Sequence, residues 1–258
     1  MKKINKNLED IPLSLITSND QLTHIRRLEI IAKKKYINER PYNDRYKTDD
    51  IRDKLKQLYN NKCVFCEQKV EQYNVEHFRP KNIYYWLAYS WDNLLLACDN
   101  CNIYKGKKFE IRGKRAKCPN IESLKNINTI ASDKYDIQEH PMLINPEQID
   151  PKPYLKFEKD GRILSDNENF EYTIKICKID RKYLNDERKK IIDKFRRGVT
   201  SELVENQTIG EQKHAINVLV RHFLEEANDN DNEFLAFRSF AIEHDWLKDI
   251  IKEAVTSI

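Results

Sequence analysis

The sequence lacks any long hydrophobic run, and this absence bears on membranes and export. The stretch that most resembles a membrane segment, residues 91–98, is far shorter than the roughly 20 residues that a transmembrane helix needs. Residues 1–14 begin with basic side chains but contain no apolar segment of the kind found in signal peptides. The sequence therefore predicts a cytoplasmic protein with no membrane partner.

A strong excess of charge of one sign is also missing. The 46 Lys and Arg residues nearly balance the 42 Asp and Glu residues, which leaves a net charge of +4. This balance excludes a protein that binds nucleic acid through a uniformly basic exterior, so any such binding must come from local patches. Internal repeats and low-complexity tracts are absent too, and the length of 258 residues suits one ordinary domain or two small ones.

Cysteine is present in a pattern that indicates a metal. Two Cys-x-x-Cys pairs, Cys63/Cys66 and Cys98/Cys101, bracket the middle of the chain. In a reducing cytoplasm such pairs favour a metal over disulfides, and two pairs supply the four thiolates of one tetrahedral zinc site. Four thiolates leave zinc no open position, so this ion is predicted to be structural.

Polar residues that suit phosphodiester hydrolysis lie between and just after the two cysteine pairs. His77 has an ordinary pKa near neutrality, so its imidazole can accept a proton from water. Glu76 offers a carboxylate to a hard divalent cation, and Asn102 offers a second, neutral oxygen. Two protein ligands leave most of an octahedral shell for water and phosphate oxygens.

The order of these residues resembles the HNH endonuclease motif: Glu-His, then Asn-Leu, then Cys-x-x-Cys-Asn-x-x-Lys. The strings VEHFRPK and YYWLAYSWDNLLLACDNCN resemble a narrower group, the nuclease component of the Septu anti-phage system, which also occurs in some retron systems. The resemblance implies a ββα-metal unit with catalytic residues His77, Asn93 and Asn102, in which Asn93 pins the loop between the strands. Many HNH nucleases carry Asp where this chain has Glu76.

The same resemblance implies cofactors and partners. Glu76 and Asn102 are expected to hold catalytic Mg²⁺ or Mn²⁺, beside the structural Zn²⁺. The expected partners are a nucleic acid, a PtuA-like ATPase and, in the retron setting, an RNA–DNA complex.

A basic strip follows the second cysteine pair at residues 105–117. It is either a solvated loop or a surface that contacts phosphates, and its position after the nuclease motif favours phosphate contact. The aromatic side chains in residues 83–91 either pack around the metal unit, which we favour, or stack on bases. The cations that we predict to contact nucleic acid are Arg79, Lys81, Lys105, Lys107, Lys108, Arg112, Lys114 and Arg115.

Hydrophobic periodicity predicts an α+β protein that is mainly helical. Residues 1–60 form an N-terminal helical segment, and residues 61–118 form the zinc-clamped ββα-metal nuclease core. Residues 119–258 contain a small β-hairpin followed by a C-terminal helical region.

These residues favour a metal-dependent HNH endonuclease that hydrolyses phosphodiester bonds, with DNA as the favoured substrate, and the resemblance to the Septu nuclease implies a role in anti-phage defence with a partner ATPase. Two alternatives stay open at this point. One is a zinc-clamped module that binds nucleic acid without cleaving it, which would need only the cysteines and the basic strip. The other is an HNH nuclease directed at RNA, because this chemistry acts on either backbone and no reader of the 2′-hydroxyl is visible.

Overall fold

The structure is a computed structural model and describes residues 1–206 and 208–256. Helices dominate it, with four short strands in the described ranges. The elements are α1 (Leu22–Lys33), α2 (Arg40–Asn43), α3 (Asp49–Tyr59), β1 (Tyr73–His77), β2 (Leu94–Cys98), α4 (Asp99–Lys105), α5 (Asp136–Glu139), β3 (Lys156–Phe157), β4 (Ile163–Leu164), α6 (Glu168–Cys177), α7 (Lys182–Glu205), α8 (Ile209–Asn228), α9 (Leu235–Glu243) and α10 (Trp246–Thr256).

A ββα unit lies at the centre of the fold. Strands β1 and β2 pair antiparallel, with Tyr73 opposite Cys98 and His77 opposite Leu94. Every residue of β2 is buried, because its sequence LLLAC packs on both faces. Helix α4 starts directly after β2, beside the start of β1, where Asn74 contacts Asp99. Its last residue, Lys105, reaches Glu76 and His77 at the end of β1.

The segment between the two strands folds inward as two 3₁₀ turns, Tyr85–Leu87 and Trp91–Asn93. Its large aromatic side chains form part of the core, and Tyr85 is only partly buried. This packing accounts for the aromatic-rich sequence without base stacking. The buried aromatic residues are Tyr84, Trp86, Tyr89 and Trp91.

The small hairpin of β3 and β4 pairs Phe157 with Ile163, and residues 143–146 lie outside its strands. Gly161 in its turn has a φ of +88°, and a Cβ there would lie 2.0 Å from the carbonyl oxygen of Asn185 in α7. Only glycine permits both the backbone conformation and this close approach.

Two local sequence patterns predict structures that differ from those observed. Asp180 is placed to cap α7, but that helix begins after Arg181, and the Asp180 carboxylate accepts a hydrogen bond from the Ile163 amide. The polar stretch 119–142 has the composition of a loop, but it contains a 3₁₀ helix, a π-helical turn and α5. Its local sequence does not indicate these turns, because they are stabilised by contacts with distant residues.

One hydrophobic cluster joins all three predicted segments. It includes Leu15 and Ile51 from the N-terminal segment, Leu95 from the ββα unit, and Ile192 and Ile250 from the C-terminal helices. The predicted fold class, mainly helical with a cysteine-clamped ββα core and a small hairpin, is confirmed. No helix in the described part of the chain is long and apolar enough to cross a bilayer.

Candidate active site

The four cysteines of the two pairs form a buried cluster. Their Sγ atoms all lie within 4.8 Å of one another, and Cys66 Sγ lies 3.8 Å from Cys98 Sγ. Four sulfurs placed about 2.3 Å from a central zinc in a tetrahedron are separated by about 3.8 Å. The site therefore fits zinc, and its donor set of four thiolates is that of a structural ion. The cluster comprises Cys63, Cys66, Cys98 and Cys101.

Backbone contacts hold the cysteine cluster against the ββα unit. The amide of Val64 donates to the Leu96 carbonyl in β2, which fastens the first pair to the strand. Cys98 is the N-cap of α4, and its Sγ accepts from the Cys101 amide at 3.5 Å. The guanidinium of Arg181 donates to Cys101 Sγ at 3.6 Å. A positive charge there offsets the negative charge of a zinc–tetrathiolate centre.

His77, at the end of β1, is set up to accept a proton. Its Nε2 lies 3.0 Å from the carbonyl oxygen of Ala88, so Nε2 carries the proton and donates it to that oxygen. Nδ1 is then the nitrogen with the free lone pair. Burial, reinforced by the positive charge of Lys81, lowers the pKa of His77 well below its usual value. The imidazole is therefore neutral at physiological pH.

Glu76 is buried beside His77 and is paired with Lys105. The Lys105 ammonium lies 2.5 Å from Glu76 Oε1 and 2.8 Å from the His77 carbonyl oxygen. Burial raises the pKa of Glu76, and the Lys105 charge opposes this rise. Adjacent strand residues normally point to opposite faces. Here both flank one cleft, because β1 ends at His77 and the chain turns at Pro80.

Glu76 and Asn102 supply the oxygen types that a hard divalent cation accepts. Lys105 contacts one carboxylate oxygen of Glu76, Oε1, and a carboxylate has two. Because Lys105 neutralises Glu76, the protein offers such a cation little net negative charge. The donor set thus fits a cation that keeps several waters and relies on substrate phosphate as a further ligand.

Asn93 makes its contacts with the backbone of the loop between the strands. Its Oδ1 accepts from the Arg79 amide at 2.7 Å, and its Nδ2 donates to the carbonyls of Arg79 and Leu87, both at 3.1 Å. The side chain is fully buried. It holds in place the loop that carries Ala88, and so fixes the acceptor of the His77 hydrogen bond.

An open cleft of about 310 Å³ brings the candidate residues together. Glu76 and His77 reach it from β1, and Asn102, on α4, is partly exposed to it. Lys81 and Lys107 also line it. Burial, with the charge of Lys47, lowers the pKa of Lys81 to about 8.

Two of the cations expected at the nucleic acid are instead inside the protein. Arg79 is 1% exposed, and its guanidinium forms ion pairs with Glu139 at 2.8 Å and Asp136 at 2.7 Å. Lys105 is wholly buried in its pair with Glu76. The structure therefore gives both residues internal partners, and neither side chain is presented to a phosphate in this conformation.

The rest of the basic strip lies on the surface. Its backbone runs beside α5, where the amide of Gly113 donates to the Glu139 carbonyl at 2.8 Å. A Cβ at Gly113 would lie 2.1 Å from the Gln138 carbonyl oxygen, so glycine is needed for this approach. Arg112 is paired with Glu168. The exposed cations of the strip are Lys107, Lys108, Arg112, Lys114, Arg115 and Lys117.

Three site features escaped the sequence reasoning. Tyr46 and Lys47 line the cleft from the N-terminal segment, and the Ala88 carbonyl fixes the His77 tautomer. An aromatic–basic pair just before a helix was the available signal for the first two. No sequence signal indicated the Ala88 contact, because the group that makes it is a backbone carbonyl, which every residue type has.

The ββα topology, a neutral histidine at the end of β1 and a cysteine-clamped helix facing it define an HNH endonuclease. Residues 63–108 match the HNH endonuclease family. The chain thus carries the domain of a phosphodiester hydrolase, which favours cleavage over the non-catalytic binding module.

Two curated proteins are similar to this chain. "Septu protein PtuB" of Bacillus mycoides (strain KBAB4) is 32% identical over 213 residues, which cover 74% of this chain and 67% of that protein. "Septu protein PtuB" of Bacillus thuringiensis is 34% identical over 99 residues, which cover 37% of this chain and 34% of that protein. The chain therefore belongs to the Septu PtuB family.

Proposed function

We propose that this nuclease cleaves DNA in the cytoplasm as part of anti-phage defence, with Mg²⁺ or Mn²⁺ as its catalytic cation. The observation that carries the proposal is a neutral His77, held through Nε2, in a cleft that also contains Glu76 and Asn102. Membership in the Septu PtuB family supports the defence role. The unpaired buried thiols suit a reducing compartment.

The reaction follows from these positions. His77 Nδ1 takes a proton from a water molecule, and the oxygen of that water attacks phosphorus. The bond from phosphorus to the leaving sugar oxygen breaks, and that oxygen takes a proton from solvent. Asn93 keeps the Ala88 carbonyl in place and so keeps the His77 lone pair directed. A cation bound by Glu76 and Asn102 would supply positive charge to the phosphate oxygens.

Exposed cations next to the cleft are proposed to bind the flanking phosphates. Lys107 lines the cleft, and Lys108 and Lys114 are exposed further along the same strip beyond α4. Such contacts are independent of sequence and of sugar type, so they serve DNA and RNA alike. DNA is the proposed substrate, and RNA is the alternative that the assay below separates.

A PtuA-like ATPase is the proposed partner. Both similar proteins are named for the Septu system, and the resemblance of this chain to the nuclease of that system motivates the pairing. Neither name refers to a retron, and the proposal does not include a retron complex. Co-purification of the two proteins, with size-exclusion chromatography, tests the pairing.

A cleavage assay tests the nuclease proposal. Wild type and His77→Ala would be incubated with DNA or with total RNA, in Mg²⁺ or Mn²⁺, with and without the ATPase. We expect DNA cleavage that falls by about 10²- to 10⁴-fold in His77→Ala, as for loss of a general base. The exposed His214 on α8 gives a matched control, and His214→Ala should cleave like wild type. Equal cleavage by His77→Ala would refute the mechanism. Cleavage of RNA alone would show that the substrate is RNA and not DNA.

A further inference from the structure

One wall of the catalytic cleft comes from outside the ββα unit. Tyr46 ends a 3₁₀ turn, Asp44–Tyr46, in the N-terminal segment, and Lys47 follows it. Both line the cleft together with Glu76 and His77. The HNH match begins at residue 63, so this wall lies outside the matched domain.

Tyr46 contacts two residues of the cleft at once. Its ring meets the His77 imidazole edge-on, with centroids 4.6 Å apart and planes at 80°. Its hydroxyl accepts a hydrogen bond from Lys81 Nζ at 2.6 Å. Tyr46 itself is only 4% exposed. A rigid side chain thus sets the distance between the histidine and the lysine.

The Lys81 ammonium is held by aromatic faces and a hydroxyl. It lies 4.4 Å from the Tyr46 ring centroid and 4.8 Å from that of Tyr36. Cation–π contacts of this kind orient an ammonium group but do not neutralise it. Lys81 therefore keeps an unbalanced positive charge beside His77.

Lys47 adds a second positive charge to the same cleft. Its Nζ lies 5.4 Å from the Tyr46 ring centroid, and its charge acts on both Lys81 and His77. Glu76, whose charge acts on Lys81, is already paired with Lys105. In the described part of the chain, no carboxylate lies within ion-pair distance of Lys47 or Lys81. Two ammonium groups facing one cleft without a counter-charge suit a phosphate group of the substrate.

We propose that the N-terminal segment completes the active site. Its Lys47 binds the phosphates at the scissile bond together with Lys81 of the matched domain, and its Tyr46 positions Lys81 and His77. This proposal rests on the nuclease function proposed above. Lys47 and Lys81 touch substrate in it, whereas Tyr46 is a positioning residue that acts through its two neighbours.

Salt-dependent binding tests the two lysines without relying on cleavage. The His77→Ala protein, alone and with Lys47→Gln or Lys81→Gln added, would be titrated with a DNA oligonucleotide at several salt concentrations. The plot of log K against log salt has a negative slope, and removal of a lysine that contacts a phosphate should make it less steep by about 0.7–0.9. Lys33→Gln removes the same charge from an exposed position on α1 and should leave the slope unchanged. An unchanged slope in Lys47→Gln would overturn the assignment of Lys47, whether or not the wild type cleaves DNA.

Steady-state kinetics tests the positioning role of Tyr46. Tyr46→Phe keeps the ring against His77 and removes the hydroxyl, so KM should rise by about tenfold with little change in kcat, as for loss of a hydrogen bond to a charged group. Tyr46→Leu removes the ring as well, so kcat should also fall. If both variants have a lower Tm but wild-type kcat and KM, Tyr46 serves only the core. Should Tyr46→Leu fail to fold, the KM of Tyr46→Phe decides. An inactive wild type would instead count against the nuclease function itself.

Discussion

At the scale of single residues, the chemistry of this site depends on which partner each polar atom has. His77 Nε2 donates a hydrogen bond to the Ala88 carbonyl, and that contact leaves Nδ1 as the basic nitrogen. Lys105 donates to one oxygen of Glu76, which offsets part of the electrostatic cost of burying that carboxylate. A backbone carbonyl and a buried lysine thus decide which atoms of the candidate catalytic side chains remain available.

Removal of the Lys105 charge should destabilise the protein strongly. Lys105→Met leaves the Glu76 carboxylate buried without its partner, and loss of one member of a buried pair costs about 3–5 kcal/mol of unfolding free energy. Urea unfolding measures this loss, and Glu76→Gln combined with Lys105→Met should restore part of it. A control is Lys182→Met, whose ion pair with Asp186 is exposed and is worth at most about 1 kcal/mol. Equal losses in the two single variants would contradict the buried-pair argument.

The pH profile of cleavage should reflect the depressed pKa of His77. Burial and the Lys81 charge hold that pKa well below 6.5, so the imidazole stays unprotonated as the pH falls through 6.5. The single-turnover rate should therefore remain level down to and below 6.5 and decline only at lower pH. The folded state should also lose stability as the pH falls below 6.5, because the unfolded chain takes up the proton first. A rate that is halved near pH 6.5 would show that His77 titrates as an exposed histidine.

Residue order predicted which polar residues share the site, but it could not predict which partners the charged groups of long basic side chains contact. The spacing of Glu76, His77 and Asn102 predicted one shared site, and the structure brings all three to one cleft. Arg79 was predicted to contact nucleic acid. Its partner Glu139 lies 60 positions away in sequence, and no local pattern indicates such a pairing.

At the scale of elements, the ββα unit is short and depends on its clamp. Helix α4 contains 7 residues, fewer than an isolated helix needs in water. The cysteine cluster caps its first turn, and Lys105 anchors its last turn to β1. Helical periodicity predicted a mainly helical protein, because the apolar stripes of the longer helices are regular. It gave no information about the turns in residues 119–142, which are stabilised by distant partners such as Asp92, whose carboxylate accepts the Ala131 and Ser132 amides.

Zinc removal should loosen α4 before it affects distant helices. Cys66→Ser takes one thiolate from the cluster, so metal content should fall and amide exchange should speed up in residues 99–105 while α10 stays protected. Hydrogen exchange with mass spectrometry, together with zinc analysis, measures both. Cys118→Ser is the matched control, because that thiol lies outside the cluster and should leave zinc bound. Uniform loss of protection across the chain would show that the ion stabilises the whole fold rather than this unit.

At the scale of the whole molecule, the nuclease unit is embedded in the rest of the chain. The Glu67 carboxylate, next to the first cysteine pair, accepts the Ala236 amide at 3.1 Å. Lys62 donates to the carbonyls of Asn230 and Asn232. On the other side, Tyr46 and Lys47 close the cleft. One hydrophobic core therefore extends across the predicted boundaries at residues 60 and 118.

These long-range contacts have a consequence during protein synthesis. A nascent chain that has left the ribosome only as far as residue 229 already contains every residue of the ββα unit. It still lacks the backbone groups that bind Lys62 and Glu67. The first cysteine pair is thus fully supported only after most of the chain has emerged.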